Sequence, residues 1–451
     1  MSIAVAVGEV PPRHRLLKIL GVTFGIAVTI GQIIGSGILR SPSIIASEVQ
    51  GVGLIIGLWI LGAIQVSLAA NLNAELGTAL PRTGGEYNYV RRAMGDVFGL
   101  LVGWTCWLAN MAGAAAASVS FAEFLPLLIP AAGAHKIAAA LALQLALYAA
   151  NIAGLREGRA VQELTSFVKA AMLFSFILVA VLLVAPTEPR SVLSSPAVFK
   201  WANIILAYQL IMGAYAGWST PLSFAGENAD PGRTLPRAMF GGIALTAFLY
   251  IGVNWALLHA LSPAGVAASS LPFSAVLSHF GGHIPATLFA LTALITVASC
   301  SNACIMTAPR VLFALASDRL LPRAFVRVNA GGSPTICYLM TAVLTLGLAA
   351  TGAFGLVFGL IGTLNAASGF LVDISYWVLR RKEPDLPRPY RAVGYPVLPA
   401  IPVLVDGTLV VLFTTANYTG GLVAVGLALL CIPFALIAHR ARKLQGVAPV
   451  A

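Results

Sequence analysis

Long apolar stretches recur throughout the 451 residues, and the short segments between them hold most of the charged side chains. A helix needs about 20 predominantly apolar residues to cross a lipid bilayer. Twelve stretches reach or approach that length. Their bounds are 18–48, 52–76, 95–127, 136–154, 161–185, 201–228, 238–261, 284–315, 333–352, 356–380, 396–415 and 420–438. Strands of a membrane barrel would alternate apolar and polar residues instead, so the pattern predicts an all-α integral membrane protein with 12 transmembrane helices.

Composition narrows the classes of function. Charged residues form 10% of the chain, whereas a soluble domain carries roughly 25%. With 59% of its residues hydrophobic, a protein of this size cannot cover its surface with polar groups. These values argue against a soluble enzyme, a nucleic-acid-binding protein and a disordered chain.

The reactive residue types show no pattern of a metal site or of an enzyme. All five cysteines fall within apolar stretches, which indicates buried thiols rather than a disulfide framework or a metal site. The chain has no HExxH or GxSxG motif, and it lacks the GxxxxGK[ST] loop that a nucleotide-driven pump would need. We therefore expect no catalytic residue, no metal, no cofactor and no enzymatic activity.

The basic residues are distributed unequally between the two sides that twelve alternating spans define. Of the 27 Lys and Arg residues, we assign 22, including Arg310, to the side that holds both termini, and Lys169 alone to the interior of a span. The four on the other side are Arg40, Lys136, Arg190 and Lys200. Loops rich in Lys and Arg stay in the cytoplasm, so we expect a multi-pass protein of the cytoplasmic (inner) membrane with both termini cytoplasmic. The net charge of +11 is concentrated in these loops, so we expect no nucleic-acid partner. We expect contact with membrane lipid, in a monomer or a homodimer.

Small residues interrupt the first and sixth stretches, from Gly31 to Ile38 and from Gly213 to Pro221. Glycine and proline weaken helices, and unwound backbone is tolerated inside a membrane only where protein or a polar cavity satisfies it. Close helix packing would explain either segment alone. The two interruptions, however, open successive five-helix blocks of opposite orientation, and paired interruptions of this kind indicate the substrate site of a transporter.

The interrupted ends suit an α-amino acid. A helix that begins after Gly35 presents free N–H groups at its positive end, which suit a carboxylate. A helix that ends before the interruption presents free carbonyls, which suit an ammonium. The groups concerned are the N–H groups of Ser36, Gly37 and Ile38, the carbonyls of Ile33 and Ile34, and the carbonyls near Ala214 and Tyr215. The backbone is thus expected to recognise the zwitterion, which leaves side chains to discriminate between substrates.

An ordered set of motifs makes the chain similar to the amino acid–polyamine–organocation (APC) superfamily of permeases. It most resembles the sodium-independent bacterial relatives of the L-type amino acid transporters. Besides Gly31–Ile38, the motifs are Ala74–Thr78, Pro81–Tyr87, Ala216–Trp218 with Glu227, Pro231 with Leu235–Pro236, and Leu379–Tyr390.

This resemblance implies a LeuT-type fold, in which two inverted repeats of five helices precede two C-terminal helices, and alternating access around a central site. The implied units are an N-terminal tail 1–17, repeat 1 at 18–185, repeat 2 at 201–380, spans 11–12 at 396–438 and a C-terminal tail 439–451. The implied substrate-binding residues are Ile33, Gly35, Ser36, Gly37, Ile38, Ala214, Tyr215, Ala216 and Gly217. Gly213 replaces the bulky aromatic gate of many relatives, so Tyr215 and Trp218 are the gating candidates.

Lys169 lies about eight residues into the fifth stretch, roughly 12 Å deep at about 1.5 Å per residue. An intramembrane charge indicates function, although a lysine can also extend its ammonium back to the interface. The run Val161–Leu164 followed by Lys169 resembles relatives in which this lysine takes the place of a sodium ion. That resemblance implies sodium-independent transport, with contacts from Lys169 to the first interruption and to Ser299 or Ser301.

The most consistent interpretation is a secondary transporter of a neutral L-amino acid. A cationic substrate would favour carboxylates in the cavity, and the stretches expected to line it hold few acids. Alternatives are a cationic amino acid or polyamine permease or antiporter, and an amino acid sensor that keeps the permease fold. Asp373 is either a packing residue near the interface or a gate or proton-coupling carboxylate. Uniport, exchange and proton symport all stay open.

Overall fold

A computed structural model describes residues 21–49, 51–153, 155–184, 201–269, 272–277, 284–352 and 354–416, and beyond them only 422, 425–426 and 428–433. Within these residues the protein is helical and contains no β-strand. The predicted tails 1–17 and 439–451 lie outside the described residues, as does much of the predicted twelfth span. The prediction of an all-α protein is confirmed for the described part of the chain.

The helices follow the predicted stretches closely. They are α1 (Val22–Ile33), α2 (Ser36–Glu48), α3 (Val52–Ala79), α4 (Tyr87–Met94), α5 (Asp96–Phe124), α6 (Lys136–Ala153), α7 (Leu155–Leu183), α8 (Trp201–Tyr215), α9 (Thr220–Ser223), α10 (Pro231–Ala268), α11 (Pro272–Leu277), α12 (Ile284–Ser317), α13 (Thr335–Ala350), α14 (Phe354–Lys382) and α15 (Val397–Ala416). Each of the first eleven stretches coincides with one helix or, for the first and sixth, with a helix pair. The short helices α4 and α11 were not predicted, because they lie between stretches.

Several helices are suited to crossing a membrane. Among the described residues, six helical segments are long and apolar enough, and the bent pair α1–α2 adds a seventh. The six are Val52–Ala79, Asp96–Leu127, Pro130–Ala153, Arg159–Leu183, Pro231–Ala268 and Ala290–Ser317. Large apolar side chains such as Phe167 on α7 (74% exposed) and Val343 on α13 (69%) point outward. An exterior of this kind belongs in lipid, so the protein is a multi-pass membrane protein.

Helices α5 and α12 pack extensively against each other at the centre of the fold, and α1 contacts α7, α10 and α12. Glycine permits several of these approaches. A Cβ at Gly25 would lie 2.4 Å from the Cβ of Ala238 on α10, and one at Gly242 would lie 2.5 Å from Thr29. Small residues therefore place α1, which carries the first interruption, deep inside the helix bundle.

Two of the sequence motifs meet at the ends of α3 and α14. The Glu75 carboxylate accepts hydrogen bonds from Arg380 (2.9 and 2.5 Å) and from the backbone N–H of Ala392 (2.7 Å). It also forms an ion pair with Arg388 at 2.9 Å. The segment after α14 is thereby held against the end of α3, which explains why these two motifs occur together.

One assignment from the charge pattern is wrong. The pattern predicts Arg310 in an inner loop, but the residue lies within α12 and is fully buried. Its guanidinium forms an ion pair with Glu227, with Nε 2.6 Å from Oε1. Among the described residues, Lys169 is therefore not the only cation buried inside a helix.

Candidate functional site

The first interruption lies between α1 and α2. Helix α1 ends at Ile33, and Ile34 and Gly35 are extended before α2 begins at Ser36, with a bend of 43°. A Cβ at Gly35 would lie 2.8 Å from the Cys300 sulfur on α12. The break thus occurs at the glycine predicted from the sequence, and a side chain there would clash with the neighbouring helix.

The second interruption lies between α8 and α9. Helix α8 ends at Tyr215, and α9 begins at Thr220. Gly217 has φ +103°, a left-handed conformation that favours glycine, and a Cβ there would lie 2.6 Å from the Gln32 side chain. A Cβ at Gly37 would likewise lie 3.2 Å from the Ala214 Cα. The two interruptions therefore touch each other, and glycine permits the contact on both sides.

A cavity of 230 Å³ lies where the interruptions meet. Seven of the nine predicted substrate-binding residues line it, namely Ile33, Gly35, Ser36, Gly37, Ala214, Ala216 and Gly217. The gating candidate Trp218 also lines it, together with residues of α5, α12, α14 and α15. Ile38 and Tyr215 do not. A cavity of this size suits a molecule smaller than the ligands of typical drug-binding pockets, which run about 300–1,000 Å³.

The start of α2 offers backbone donors to this cavity. The first N–H groups of any α-helix have no acceptor within the helix, and the N-cap Gly35 has no side chain to provide one. Ser36 and Gly37 are the first two residues of α2, and both line the cavity. These N–H groups lie at the positive end of the helix dipole, where an anion is stabilised.

The carbonyls at the end of α1 already have partners. The Lys169 ammonium donates to the carbonyls of Gly31 and Ile34, at 2.7 Å each. The hydroxyl of Tyr250 on α10 lies 2.8 Å from the Ile33 carbonyl and 3.1 Å from that of Ala214. Tyr250 thus bridges the two interruptions. Sequence reasoning missed this role, because nothing in the chain indicates which face of α10 meets the breaks.

The predicted serine partners of Lys169 lie elsewhere. The Ser299 hydroxyl is 3.4 Å from that of Ser166, and the Ser301 hydroxyl is 3.2 Å from the Gln144 amide. No hydrogen bond from Lys169 to either serine occurs among the described residues. Successive residues of a helix point about 100° apart, and it is Cys300, between the two serines, that faces the first interruption.

Tyr215, one of the two gating candidates, does not line the cavity. Its ring packs against Trp59 (5.7 Å between centroids) and Tyr250 (5.2 Å), and its hydroxyl donates to the Trp59 carbonyl at 3.3 Å. The side chain is fully buried and turned away from the cavity. Tyr215 is the last residue of α8, and the break that follows redirects the chain, so that Trp218 reaches the cavity instead.

A chain of polar side chains joins both interruptions to α5. The Gln32 amide donates to Asn110 Oδ1 at 2.8 Å, and the Thr220 hydroxyl donates to Gln32 Oε1 at 2.5 Å. All three residues line the cavity. Gln32 belongs to the motif of the first stretch, and its position between two glycines could have indicated this role.

Two carboxylic acids also line the cavity, Glu86 immediately before α4 and Asp406 on α15. Asp373 on α14 is 1% exposed and contacts Asp406. Both lining acids lie outside the stretches that were expected to line the cavity, which themselves contribute no acid to the described lining. Asp406 lies in the middle of the eleventh stretch and could have been recognised as an intramembrane acid. The described residues include no cluster of three His, Cys, Asp or Glu that could hold a metal ion.

Comparisons with known proteins identify the family of the chain. A family model described as "Amino acid permease" matches residues 20–435. The large neutral amino acids transporter small subunit 2 of Mus musculus is 27% identical over 420 residues, covering 85% of this chain and 74% of that protein. The serine/threonine exchanger SteT of Bacillus subtilis is 28% identical over 408 residues, covering 86% and 90%. The Asc-type amino acid transporter 1 of Mus musculus is 27% identical over 415 residues, covering 84% and 73%.

Proposed function

The chain belongs to the amino acid permease family of the APC superfamily, and on that premise we propose that it carries a neutral L-amino acid across the membrane by alternating access, without sodium. One observation carries the proposal: two interrupted helices touch, and their ends open into a single cavity. Helix ends offer backbone charge of both signs inside a membrane. Only a ligand that carries both an anionic and a cationic group can bind both kinds of helix end.

The carboxylate of the substrate would accept hydrogen bonds from the N–H groups of Ser36 and Gly37. The ammonium would approach the carbonyls of Ile33 and Ala214, since a carbonyl oxygen has two lone pairs and the Tyr250 hydroxyl uses one. The substrate side chain has room beside Gly213, where an added Cβ would meet no atom within 4 Å. That open space is where many relatives carry a bulky aromatic residue.

The names of the relatives support a neutral substrate. The comparisons include a large neutral amino acids transporter and a serine/threonine exchanger. The cavity itself supports a second candidate, a cationic amino acid or polyamine, because Glu86 and Asp406 line it. We favour the neutral substrate, because the names of these relatives indicate neutral amino acids. An amino acid sensor with the permease fold is the remaining alternative.

We also propose the LeuT-type arrangement and a full count of twelve spans. Repeat 1 would comprise 18–185 and repeat 2 would comprise 201–380, because each of these blocks opens with an interrupted helix. Residues 396–438 would add spans 11 and 12. The tails 1–17 and 439–451 would face the cytoplasm at the inner membrane, as the cations in the loops of that side suggest.

Lys169 supports the absence of sodium dependence. Its ammonium occupies two backbone carbonyls of the first interruption, a position that would otherwise suit a small cation. A glycine at position 31 lets Gln162 pack against the same segment, since a Cβ there would overlap the Gln162 amide. A permanently attached cation in this position makes a dissociable one unnecessary.

A counterflow screen tests the proposal. Vesicles that contain the purified protein are loaded with one unlabelled compound, and the uptake of its labelled form is measured. The screen covers each of the twenty amino acids and common polyamines. We expect saturable counterflow of neutral L-amino acids that is unchanged when external sodium is replaced by choline. Counterflow only of polyamines or cationic amino acids would favour the second candidate, and no uptake of any compound would favour the sensor.

A further inference from the structure

The cavity extends beyond the helix ends along one face of α8. Gln209, Met212 and Gly213 line it, and their spacing of three and four residues places them on the same side of the helix. A Cβ added at Gly213 would meet no atom within 4 Å, so this face borders open space. At about 1.5 Å per residue, Gln209 lies about 6 Å further from the second interruption than Gly213 does. The substrate side chain therefore has room to run along α8 toward Gln209.

Helix α14 presents a second polar group to the same space. Ile361, Asn365 and Ser368 line the cavity, and their spacing of four and three residues again marks one side of a helix. Helix α14 contacts both α5 and α8. Asn365 is exposed although it lies in the middle of this long helix. Because an amide without a partner in lipid would be costly, its position in the cavity wall explains the exposure.

The amides of Gln209 and Asn365 differ from the other polar groups of the cavity. Gln32, Asn110 and Thr220 are joined to one another by hydrogen bonds. Among the described residues, neither the Gln209 nor the Asn365 side chain has a hydrogen-bond partner. Each amide has two N–H donors and an accepting oxygen. Since both amides are accessible from the cavity, a substrate can bond to them in place of water.

The chemistry of an amide restricts which substrate side chain pairs with it. A carboxamide both donates and accepts, whereas an ammonium only donates and an ionised carboxylate only accepts. An apolar side chain would displace water from the amides without replacing its hydrogen bonds. The hydroxyl of serine or threonine lies one bond from Cβ and is too short to reach Gln209. The Cβ atoms of a helix tilt toward its N-terminus, so the Gln209 side chain leans away from the interruption.

We propose that Gln209 and Asn365 determine substrate specificity by selecting an amino acid whose side chain ends in a carboxamide, glutamine or asparagine. The inference rests on the proposed function, because the helix ends must first hold the zwitterionic group. The NH₂ of the substrate side chain donates to the oxygen of one amide, and its oxygen accepts from the N–H of the other. Met212 and Ile361, which line the same two faces, pack against the methylene groups.

The two acids of the cavity fit this selection. The Asp406 carboxylate accepts a hydrogen bond from the Gln65 amide at 3.1 Å, and Glu86 accepts one from the Cys106 thiol at 3.5 Å. Further acceptors in the same cavity suit the NH₂ of a carboxamide and disfavour an acidic side chain. Glutamine is therefore expected to bind in preference to glutamate, which has nearly the same shape. Lysine is the competitor that would use the acids alone.

The test measures how well unlabelled amino acids compete with a labelled one for counterflow by the purified full-length protein in vesicles. The competitors form pairs of similar shape, glutamine with methionine and asparagine with leucine. A neutral hydrogen bond changes affinity by about threefold to tenfold. With two such bonds, each carboxamide should compete at a concentration at least about tenfold lower than its apolar counterpart. Glutamate, lysine and serine should each compete less well than glutamine.

Two variants assign the preference to its residues. Gln209→Met and Asn365→Leu each replace an amide by an apolar side chain of similar shape. Each should lower the preference for glutamine over methionine by about threefold to tenfold, through weaker competition by glutamine alone. A merely structural role would weaken both competitors alike. Asn203→Leu is the matched control, because this amide of α8 donates to the Glu48 carbonyl and does not line the cavity. It should keep the wild-type preference.

The outcomes separate the two proposals. Equal competition by glutamine and methionine, or a preference that both variants retain, would overturn the role of the amides. Counterflow of any neutral amino acid would then leave the proposed function intact. Stronger competition by lysine or serine than by glutamine would also overturn the selection of a carboxamide. No counterflow of any compound would overturn both proposals. If neither variant folds, the preference of the wild-type protein within the two pairs decides alone.

Discussion

Lys169 and Arg310 are both fully buried cations on long helices, yet their surroundings differ. Arg310 has a counter-ion, with its Nε and Nη2 2.6 and 3.2 Å from the Glu227 carboxylate, and it also donates to the Tyr338 hydroxyl at 2.9 Å. Lys169 has two backbone carbonyls and no ion pair with a described carboxylate. Removing one partner of a buried ion pair leaves an uncompensated charge, whereas the Lys169 ammonium is held only by carbonyls at a helix break. From this difference we infer a structural role for Arg310 and propose a functional one for Lys169.

The largest effect on stability is expected at the structural cation. Arg310→Met leaves the Glu227 carboxylate buried without a partner, which should cost about 3–5 kcal/mol. The double variant with Glu227→Met removes both charges and should recover much of the loss. Thermal unfolding of the three proteins in detergent would measure this. If Arg310→Met unfolds at the wild-type temperature, the pair has no structural role.

Lys169→Ala should lower transport strongly and stability only slightly, because it removes the cation for which we propose a functional role. We expect counterflow to be abolished or greatly reduced, while the protein still purifies as a folded monodisperse species. The carbonyls of Gly31 and Ile34 lose their donors, which should cost only about 1–3 kcal/mol. Initial rates in vesicles and thermal unfolding of the same sample measure both quantities. Uptake at the wild-type rate would remove the proposed role, and a stability loss as large as that of Arg310→Met would erase the contrast.

A neutral donor at other carbonyls of the two interruptions should matter less than the ammonium. Tyr250→Phe removes the hydroxyl that lies against the carbonyls of Ile33 and Ala214 but keeps the ring that packs on Trp59. A neutral hydrogen bond contributes about 0.5–1.5 kcal/mol, so transport should slow by about threefold to tenfold. Initial counterflow rates test this, with Tyr208→Phe as the control, since Tyr208 has no contact with either carbonyl in the described hydrogen bonds. A loss as large as that of Lys169→Ala would contradict the ranking.

The smallest effect is expected for an ion pair at the surface. Arg92 donates two hydrogen bonds to Glu383, at 2.7 and 2.9 Å, and the hydrogen bond from Arg92 lowers the pKa of that carboxyl. A lowered pKa stabilises the fold above the ordinary pKa of glutamate, and the contribution disappears as the pH falls through the lowered value. Because both side chains are partly exposed, Glu383→Gln should change stability by about 0–1 kcal/mol at neutral pH. A larger change in the unfolding temperature would show that the pair stabilises the fold more than a surface ion pair does.

Much of the fold could be predicted from sequence, because a helix in lipid must be apolar over most of its length. Eleven stretches coincide with helices or helix pairs, and the first interruption lies at Gly35 as predicted. The reason is local: the apolar run and the glycine spacing that determine these features are contiguous in the chain. The seven predicted residues that line the cavity belong to these same segments.

What could not be predicted depends on contacts between distant segments. Arg310 and Glu227 are separated by 83 residues, and Asp373 and Asp406 belong to different helices. The serines on either side of Cys300 were assigned to Lys169 because the helix was known but its rotation was not. In a bundle where nearly every position is apolar, hydrophobic periodicity is too weak to fix the rotation of a helix, so the partners of buried polar groups stay undetermined.

The central claim is that helix ends at two touching interruptions bind the zwitterionic backbone of an amino acid. The direct measurement is the thermal shift of the purified protein with three ligands: an amino acid that shows counterflow, the amine it would leave on losing its carboxylate, and the acid that lacks its amino group. A ligand at a hundred times its Kd stabilises by about 2.7 kcal/mol, so binding would be evident as a raised Tm. We predict that the amino acid raises the Tm and that the other two leave it unchanged. Equal stabilisation by the amine or by the acid would show that one charge suffices, and it would contradict recognition by both sets of helix ends.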